Sequence, residues 1–176
     1  MKKKIGLFFW PKGGNVEKAA NKIKQYFNED EIDLIDLSIV QPKHLFYYEN
    51  LILGSSTVGA EHWEDATEDN KWYQLFHQMD IDNVDFFGKK VALFGLGDQI
   101  NYPNNFVDGM ERVYSNIKNH NITLVGEWDN EGYEFSDSLA LHNGQFRGLA
   151  LDLDNDDDDI TNKRIEKWVK LLKSTF

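Results

Sequence analysis

Short apolar runs, each followed by a turn and then an amphipathic stretch, constrain this chain more than any other feature of its sequence. Ile5-Gly6-Leu7-Phe8-Phe9-Trp10 is the first, stopped by Pro11 and the Gly13-Gly14 pair. An unbroken run of this length suits a strand covered on both faces of a parallel sheet, because a strand with one wet face alternates apolar and polar residues instead. Behind it Val16, Ala19, Ala20, Ile23, Tyr26 and Phe27 fall on one helical stripe, with Asn15 placed to cap it. Ile32 to Leu37, Leu51-Ile52-Leu53-Gly54, Val91-Ala92-Leu93-Phe94-Gly95 and Ile122 to Trp128 read as four further strands. Trp72, Leu75, Phe76 and Met79 mark an intervening helix, and Phe106, Met110, Val113, Tyr114 and Ile117 mark another. Ile165, Trp168, Val169 and Leu172 give a closing helix with Thr161 as its expected cap. Strands alternating with helices predict a three-layer α/β sandwich around a five-stranded parallel sheet.

Two segments stand outside this alternation. Ser55 to Lys71 is a long polar loop, and Asp129 to Arg147 interrupts the fifth strand before Gly148-Leu149-Ala150-Leu151 resumes it. Loops of this length in compact domains usually carry function. No linker or repeat divides the 176 residues, so a single domain over 1–176 is expected.

Composition removes whole classes of activity. The chain has no cysteine, which excludes disulfide scaffolds, thiolate metal sites and thiol chemistry. Any redox role must come from a bound cofactor. A net charge of −11 repels phosphate backbones and anionic lipid, so neither nucleic acid nor a membrane surface is an expected partner. The basic start Met1-Lys2-Lys3-Lys4 is followed by too short an apolar run for a signal peptide, and no stretch approaches the ~18 apolar residues of a spanning helix. A cytoplasmic protein is expected.

Ligands of wound α/β sheets sit beyond the carboxyl ends of the strands, where the strand order reverses. That directs attention to Trp10–Asn15, Ser55–Gly59 and Leu96–Asn105. The first of these runs into a helix N-terminus, whose free N–H groups and positive dipole end suit an anion such as phosphate, although a Gly pair also serves any tight turn. The third combines small residues, an acid, amides and Tyr102, a mixture suited to the edge and face of a flat polar heterocycle.

From Val91 to Asp108 the sequence resembles the flavodoxin family, with Gly97-Asp98-Gln99, Tyr102 and Asn105-Phe106 carrying its most specific motif. The resemblance extends to Lys4–Phe9 with Gly14-Asn15 and Glu17-Lys18. In the long-chain subgroup it continues through Gly132-Tyr133-Glu134-Phe135, Gly148–Asn155, Thr161 and Arg164 to Val169. It implies strand order 2-1-3-4-5, FMN held between the turns after strands one, three and four, and one-electron transfer between reductases and acceptor enzymes. The residues it implies around the cofactor are Lys12, Gly13, Gly14, Asn15 and Val16 at the phosphate, and Ser55, Ser56, Thr57 and Val58 along one ring edge. Leu96, Gly97, Asp98, Tyr102 and Asn105 follow on the other side, with Asp154 as an acid near the ring.

The chain also departs from the family pattern. Pro11, Gly13 and Val16 stand where hydroxyl residues are usual, and Trp10 where a glycine is usual. Each lost neutral hydrogen bond costs ~1 kcal/mol, while a charge-assisted contact from Lys12 returns ~1.5–3 kcal/mol. Thr57 matches the family's middle loop, but Val58 replaces the tryptophan expected on the inner face of the ring. Trp63 is the first candidate to replace that ring, with His62 and Trp10 behind it.

Other chemistries find no support. The histidines are scattered, with no metal-binding spacing. The Asp-rich stretch 152–159 lacks the Gly and Glu of a calcium loop, where it has Asp157 and Lys163, and reads as a solvated acidic turn. Gly95-Leu96-Gly97 fails the dinucleotide fingerprint at Ile100, which leaves a flavin reductase without its second site. The expectation is therefore a monomeric electron carrier, not an enzyme, docking through its acidic surface on basic redox partners. The alternative is a protein of this fold that has lost or weakened FMN binding and acts as a binding module.

Overall fold

Alternate residues of β1 (Ile5–Phe9) enter opposite sides of the protein: Phe8 joins one buried cluster, while Ile5, Leu7 and Phe9 join another. This is the period-two geometry of a strand, and with apolar residues on both faces it requires a layer of helices on each. The computed structural model describes residues 4–57 and 70–176, and in it those layers are present. α1 (Asn15–Lys24) and α4 (Asp158–Thr175) cover the face that holds Leu7 and Phe9. The opposite face is covered by α2 (Lys71–Ile81) and α3 (Asp108–Ile117), whose Trp72, Phe76, Met79, Met110 and Val113 meet Phe8, Leu53 and Leu93.

Between them lies a parallel sheet in the order β2-β1-β3-β4-β5, with β2 spanning Ile32–Asp36, β3 Asn50–Ser56, β4 Lys90–Leu96 and β5 Thr123–Val125. This is the expected order, and the interruption of the fifth strand is visible in the pairing. Lys90 to Ala92 pair with β5, while Phe94 to Leu96 pair with β9 (Leu149–Leu151), so two short strands share one long neighbour.

The residues between them form a small antiparallel sheet in the order β6-β8-β7, from β6 (Trp128–Asp129), β7 (Leu141–His142) and β8 (Gln145–Phe146). Asn143 and Gly144 turn the β7–β8 hairpin with φ of 53° and 81°, the left-handed pair that a two-residue turn of this kind requires.

Three local expectations are corrected. The fifth strand stops at Val125, not Trp128, because Gly126 turns at φ +78° and passes its carbonyl to the Trp168 indole N–H at 2.7 Å. A Cβ on Gly126 would stand 2.7 Å from Leu172, so α4 packs directly against the turn. Gly14 and not Asn15 caps α1, with no side-chain hydrogen bond. Thr161 is buried, and Asp157 caps α4 by accepting from the Ile160 N–H at 2.8 Å. No helix among the described residues is long and apolar enough to cross a membrane.

Candidate functional site at the carboxyl edge of the sheet

In a parallel sheet every strand ends on the same side, so the turns after β1, β3 and β4 emerge together. Backbone contacts bind them. The Trp10 N–H donates to the Gly54 carbonyl at 3.2 Å, and the Thr57 N–H and hydroxyl both donate to the Leu96 carbonyl, at 3.2 and 3.0 Å. Gly97 N–H donates to the Leu151 carbonyl at 3.0 Å, adding the resumed fifth strand to the same edge.

The first turn brings Lys12, Gly13, Gly14 and Asn15 to the start of α1. Gly13 has φ +85°, a conformation that favours glycine, and a Cβ on Gly13 or Gly14 would meet no atom within 4 Å. The space over the turn is thus open. Three of its donors are engaged within the chain. Lys12 Nζ lies 3.7 Å from Asp36 Oδ2, the Gly13 N–H donates to Glu17 Oε2 at 2.7 Å, and Asn15 Nδ2 donates to Asp154 Oδ1 at 3.0 Å. Val16, expected among the phosphate contacts, has its side chain in the core, because it lies on the buried stripe of α1. Only its backbone belongs to the turn. Asp154, expected near the ring, reaches the first turn through Asn15.

At the second turn Ser55 is buried, while Ser56 and Thr57 are partly exposed. The backbone here lies so close to α3 that a Cβ on Gly109 would stand 2.1 Å from the Ser56 carbonyl oxygen. Val58, Trp63 and His62 lie outside the described residues. Trp10 is half-buried against the α2–α3 side of the core.

The third turn is tightly clipped. Asp98 Oδ1 accepts from the N–H groups of Ile100 (3.1 Å) and Asn101 (2.8 Å) and from Asn155 Nδ2 (2.9 Å), while Oδ2 accepts from Asn101 Nδ2 (2.7 Å). Hydrogen bonds from Asn101 above all, aided by Asn155 and Ile100, hold its carboxyl down at about 2, so Asp98 is ionised at neutral pH. Tyr102 is 65% exposed, an aromatic face offered to solvent at the rim. Asn105 donates to Asp108 Oδ2 at 3.1 Å and closes the turn onto α3. Burial pushes the Asp108 carboxyl up, against the bonds from Leu139 N–H and Asn105 that pull it down.

Beneath this turn stands a polar cluster that the sequence reading left out of the site. Gln99, 5% exposed, donates its N–H to Asp152 Oδ2 at 3.0 Å and accepts at Oε1 from the Glu134 N–H at 2.6 Å. Asp152 is fully buried; its other oxygen accepts from the Asp154 and Asn155 N–H groups, both at 3.1 Å. The solvated acidic turn expected over 152–159 is therefore solvated only in part. Asp157, Asp158 and Asp159 are exposed, whereas Asp152 is the hub of a buried network and Asp156 is ion-paired with Arg164. Burial raises the Asp156 carboxyl despite that arginine. Among the described residues no group of three or more His, Asp or Glu is placed to hold a metal ion.

Glu17 and Gln99 both fall within the family motifs, yet acids and amides near a loop carry no sequence mark of what they bind. Asp36, at the end of β2, had no local signal at all.

Comparison with known proteins agrees with this architecture along the whole chain. A model of the family described as Flavodoxin matches residues 7–168. A flavodoxin of Trichodesmium erythraeum is 44% identical over 98% of this chain and 98% of its own, and one of Nostoc sp. is 42% identical over 100% and 99%. A crystal structure of a Fusobacterium nucleatum flavodoxin bound to flavin mononucleotide superposes with a TM-score of 0.82 at 28% identity, covering 99% of each chain. With its interrupted fifth strand, its three turns at one sheet edge and this extended agreement, the chain belongs to the flavodoxin family.

Proposed function

We propose that this protein carries FMN and shuttles single electrons between redox partner proteins. The observation that carries the reading is the convergence of three turns, one glycine-rich at a helix N-terminus and one bearing an exposed tyrosine, at a single edge of the sheet in a chain of this family. The residues fit the cofactor chemically. Open space over Gly13 and Gly14 leaves room for a phosphate against the start of α1, where N–H groups and the helix dipole favour an anion. Lys12 adds a charge that the lost hydroxyls did not supply. A Cβ on Gly97 would strike Phe106 and the Val107 backbone, so this residue lets the third turn pack closely on the segment that leads into α3.

In this reading Gly13, Gly14, Asn15, the Val16 backbone and Lys12 hold the phosphate. Ser55, Ser56 and Thr57 border one side of the ring, and Leu96, Gly97, Asp98 and Asn105 border the other, Tyr102 covering a face. Asp154 steadies the first turn through Asn15. Bound FMN supplies the electron-transfer chemistry; no side chain needs to act as acid, base or nucleophile. What the chain contributes is position and field. The ionised Asp98 carboxylate and the net charge of −11 oppose the accumulation of negative charge at the site, which lowers the potential at which a bound group becomes anionic. The same charge supports transient, salt-sensitive docking of a cytoplasmic monomer on basic partner faces.

The absorption spectrum of freshly purified protein tests this directly. Flavin bands are expected, restored by FMN after stripping; a colourless protein that leaves FMN fluorescence unquenched overturns the proposal.

A further inference from the structure

Three donors of the first turn are each held by a carboxylate of the same chain, and they differ in how easily they are released. Lys12 and Asp36 stand 3.7 Å apart with the lysine well exposed, so the pair opens at little cost. Asn15 and Asp154 meet through a side-chain amide whose oxygen also accepts from Lys18 Nζ at 3.3 Å, a contact between side chains at the surface. The third contact is of another kind. The Gly13 N–H is fixed by the backbone of a turn that bends at φ +85°, and Glu17 Oε2 sits 2.7 Å from it.

Glu17 lies in the first turn of α1, whose cap, Gly14, has no side chain to satisfy the free N–H groups. A carboxylate there profits from the helix dipole, and its hydrogen bond goes to the Gly13 N–H just ahead of the cap. Those N–H groups and that dipole are also what an incoming phosphate would use. A phosphate and the Glu17 carboxylate cannot share the Gly13 N–H without two like charges in contact, so one must leave. Riboflavin, which has the ring and no phosphate, does not contest the position.

We infer that Glu17 determines specificity at this site: its carboxylate holds the Gly13 N–H against the flavin's phosphate and so narrows the preference for FMN over riboflavin. The inference rests on the FMN-carrying reading above and adds to it an internal competitor encoded four residues from the donor it blocks.

Fluorescence-quench titrations of flavin-stripped wild type, Glu17→Gln and Glu17→Ala with FMN and with riboflavin test it. Both variants are expected to bind FMN about 2–5-fold more tightly than wild type, the range that removal of one exposed like charge provides, with riboflavin affinity unchanged. The Ala variant guards against a glutamine amide that keeps the Gly13 contact. If wild type binds FMN and neither variant improves its FMN-to-riboflavin ratio, the role of Glu17 is overturned and the carrier reading stands. If no form of the protein quenches either flavin, both fall together.

Discussion

The Gln99 side-chain carbonyl accepts a hydrogen bond from the Glu134 backbone N–H at 2.6 Å, joining the third turn of the site to the insertion that splits the fifth strand. The same side chain reaches toward Asp156, and its own N–H is held by Asp152, so one buried residue fastens three segments. The insertion thus supports the third turn through backbone N–H groups, those of Ser136 and Asp137 on the Pro103 carbonyl included. Replacing Gln99 with Leu keeps the volume and removes both polar contacts. A loss of about 1–2 kcal/mol is expected, read as a fall in Tm of about 3–6 °C, together with weaker binding of both FMN and riboflavin. An unchanged Tm would show that the insertion is held by other contacts.

Gly97→Ala probes the same turn from the opposite side. The new methyl would stand 2.7 Å from the Phe106 ring and 2.8 Å from the Val107 nitrogen. Phe106 is already wedged among Tyr133, Phe135 and Phe146 and has nowhere to retreat. Overpacking of this kind costs about 1–3 kcal/mol, so thermal unfolding is expected several degrees lower. Flavin affinity should drop equally for FMN and riboflavin, since the turn meets the ring and not the phosphate.

Lys12→Ala should separate those two ligands. Its side chain springs from the first turn and is 66% exposed, with Asp36 its ion-pair partner. Loss of a charge-assisted contact of ~1.5 kcal/mol corresponds to roughly ten-fold weaker FMN binding, with riboflavin unaffected. Equal losses for both would refute a phosphate role for Lys12.

Asp98 gives the stability a signature in acid. Its carboxyl is held at about 2, below the usual unfolded value near ~3.9, so the native state favours the ionised form. The resulting stabilisation is present above the unfolded value and is lost as pH falls through the folded one. Chemical unfolding of wild type and Asp98→Ala should differ by a constant amount above about pH 5 and converge between about pH 4 and 2. A difference that stays constant down to pH 2 would mean that the Asp98 contacts do not depend on its charge.

The centre of the sheet was legible because β1, β3 and β4 are apolar on both faces, a pattern that only burial between two helical layers satisfies. Ile5 to Phe9, Leu51 to Leu53 and Val91 to Phe94 announce it without reference to one another. Helix stripes were equally plain: Val16, Ala19, Ala20 and Ile23 are all buried, as are Trp72, Leu75, Phe76 and Met79. Ends were harder. Asn15 and Thr161 are good caps by residue type, yet Asn15 is drawn to Asp154, 139 positions away, and Thr161 is turned into the core.

Sequence alone therefore determined the layers, the alternation of strand and helix and the three turns at which a ligand is expected, because periodicity and turn chemistry are local properties of the chain. Tertiary structure decided which charges meet. That Asp36 finds Lys12, that Asn15 meets Asp154, and that Asp152 is buried as the hub of a network while Asp158 is solvated depends on the distances between folded segments. A carboxylate's role is set by which donors the fold brings within hydrogen-bonding reach, and residue type and spacing carry no record of that.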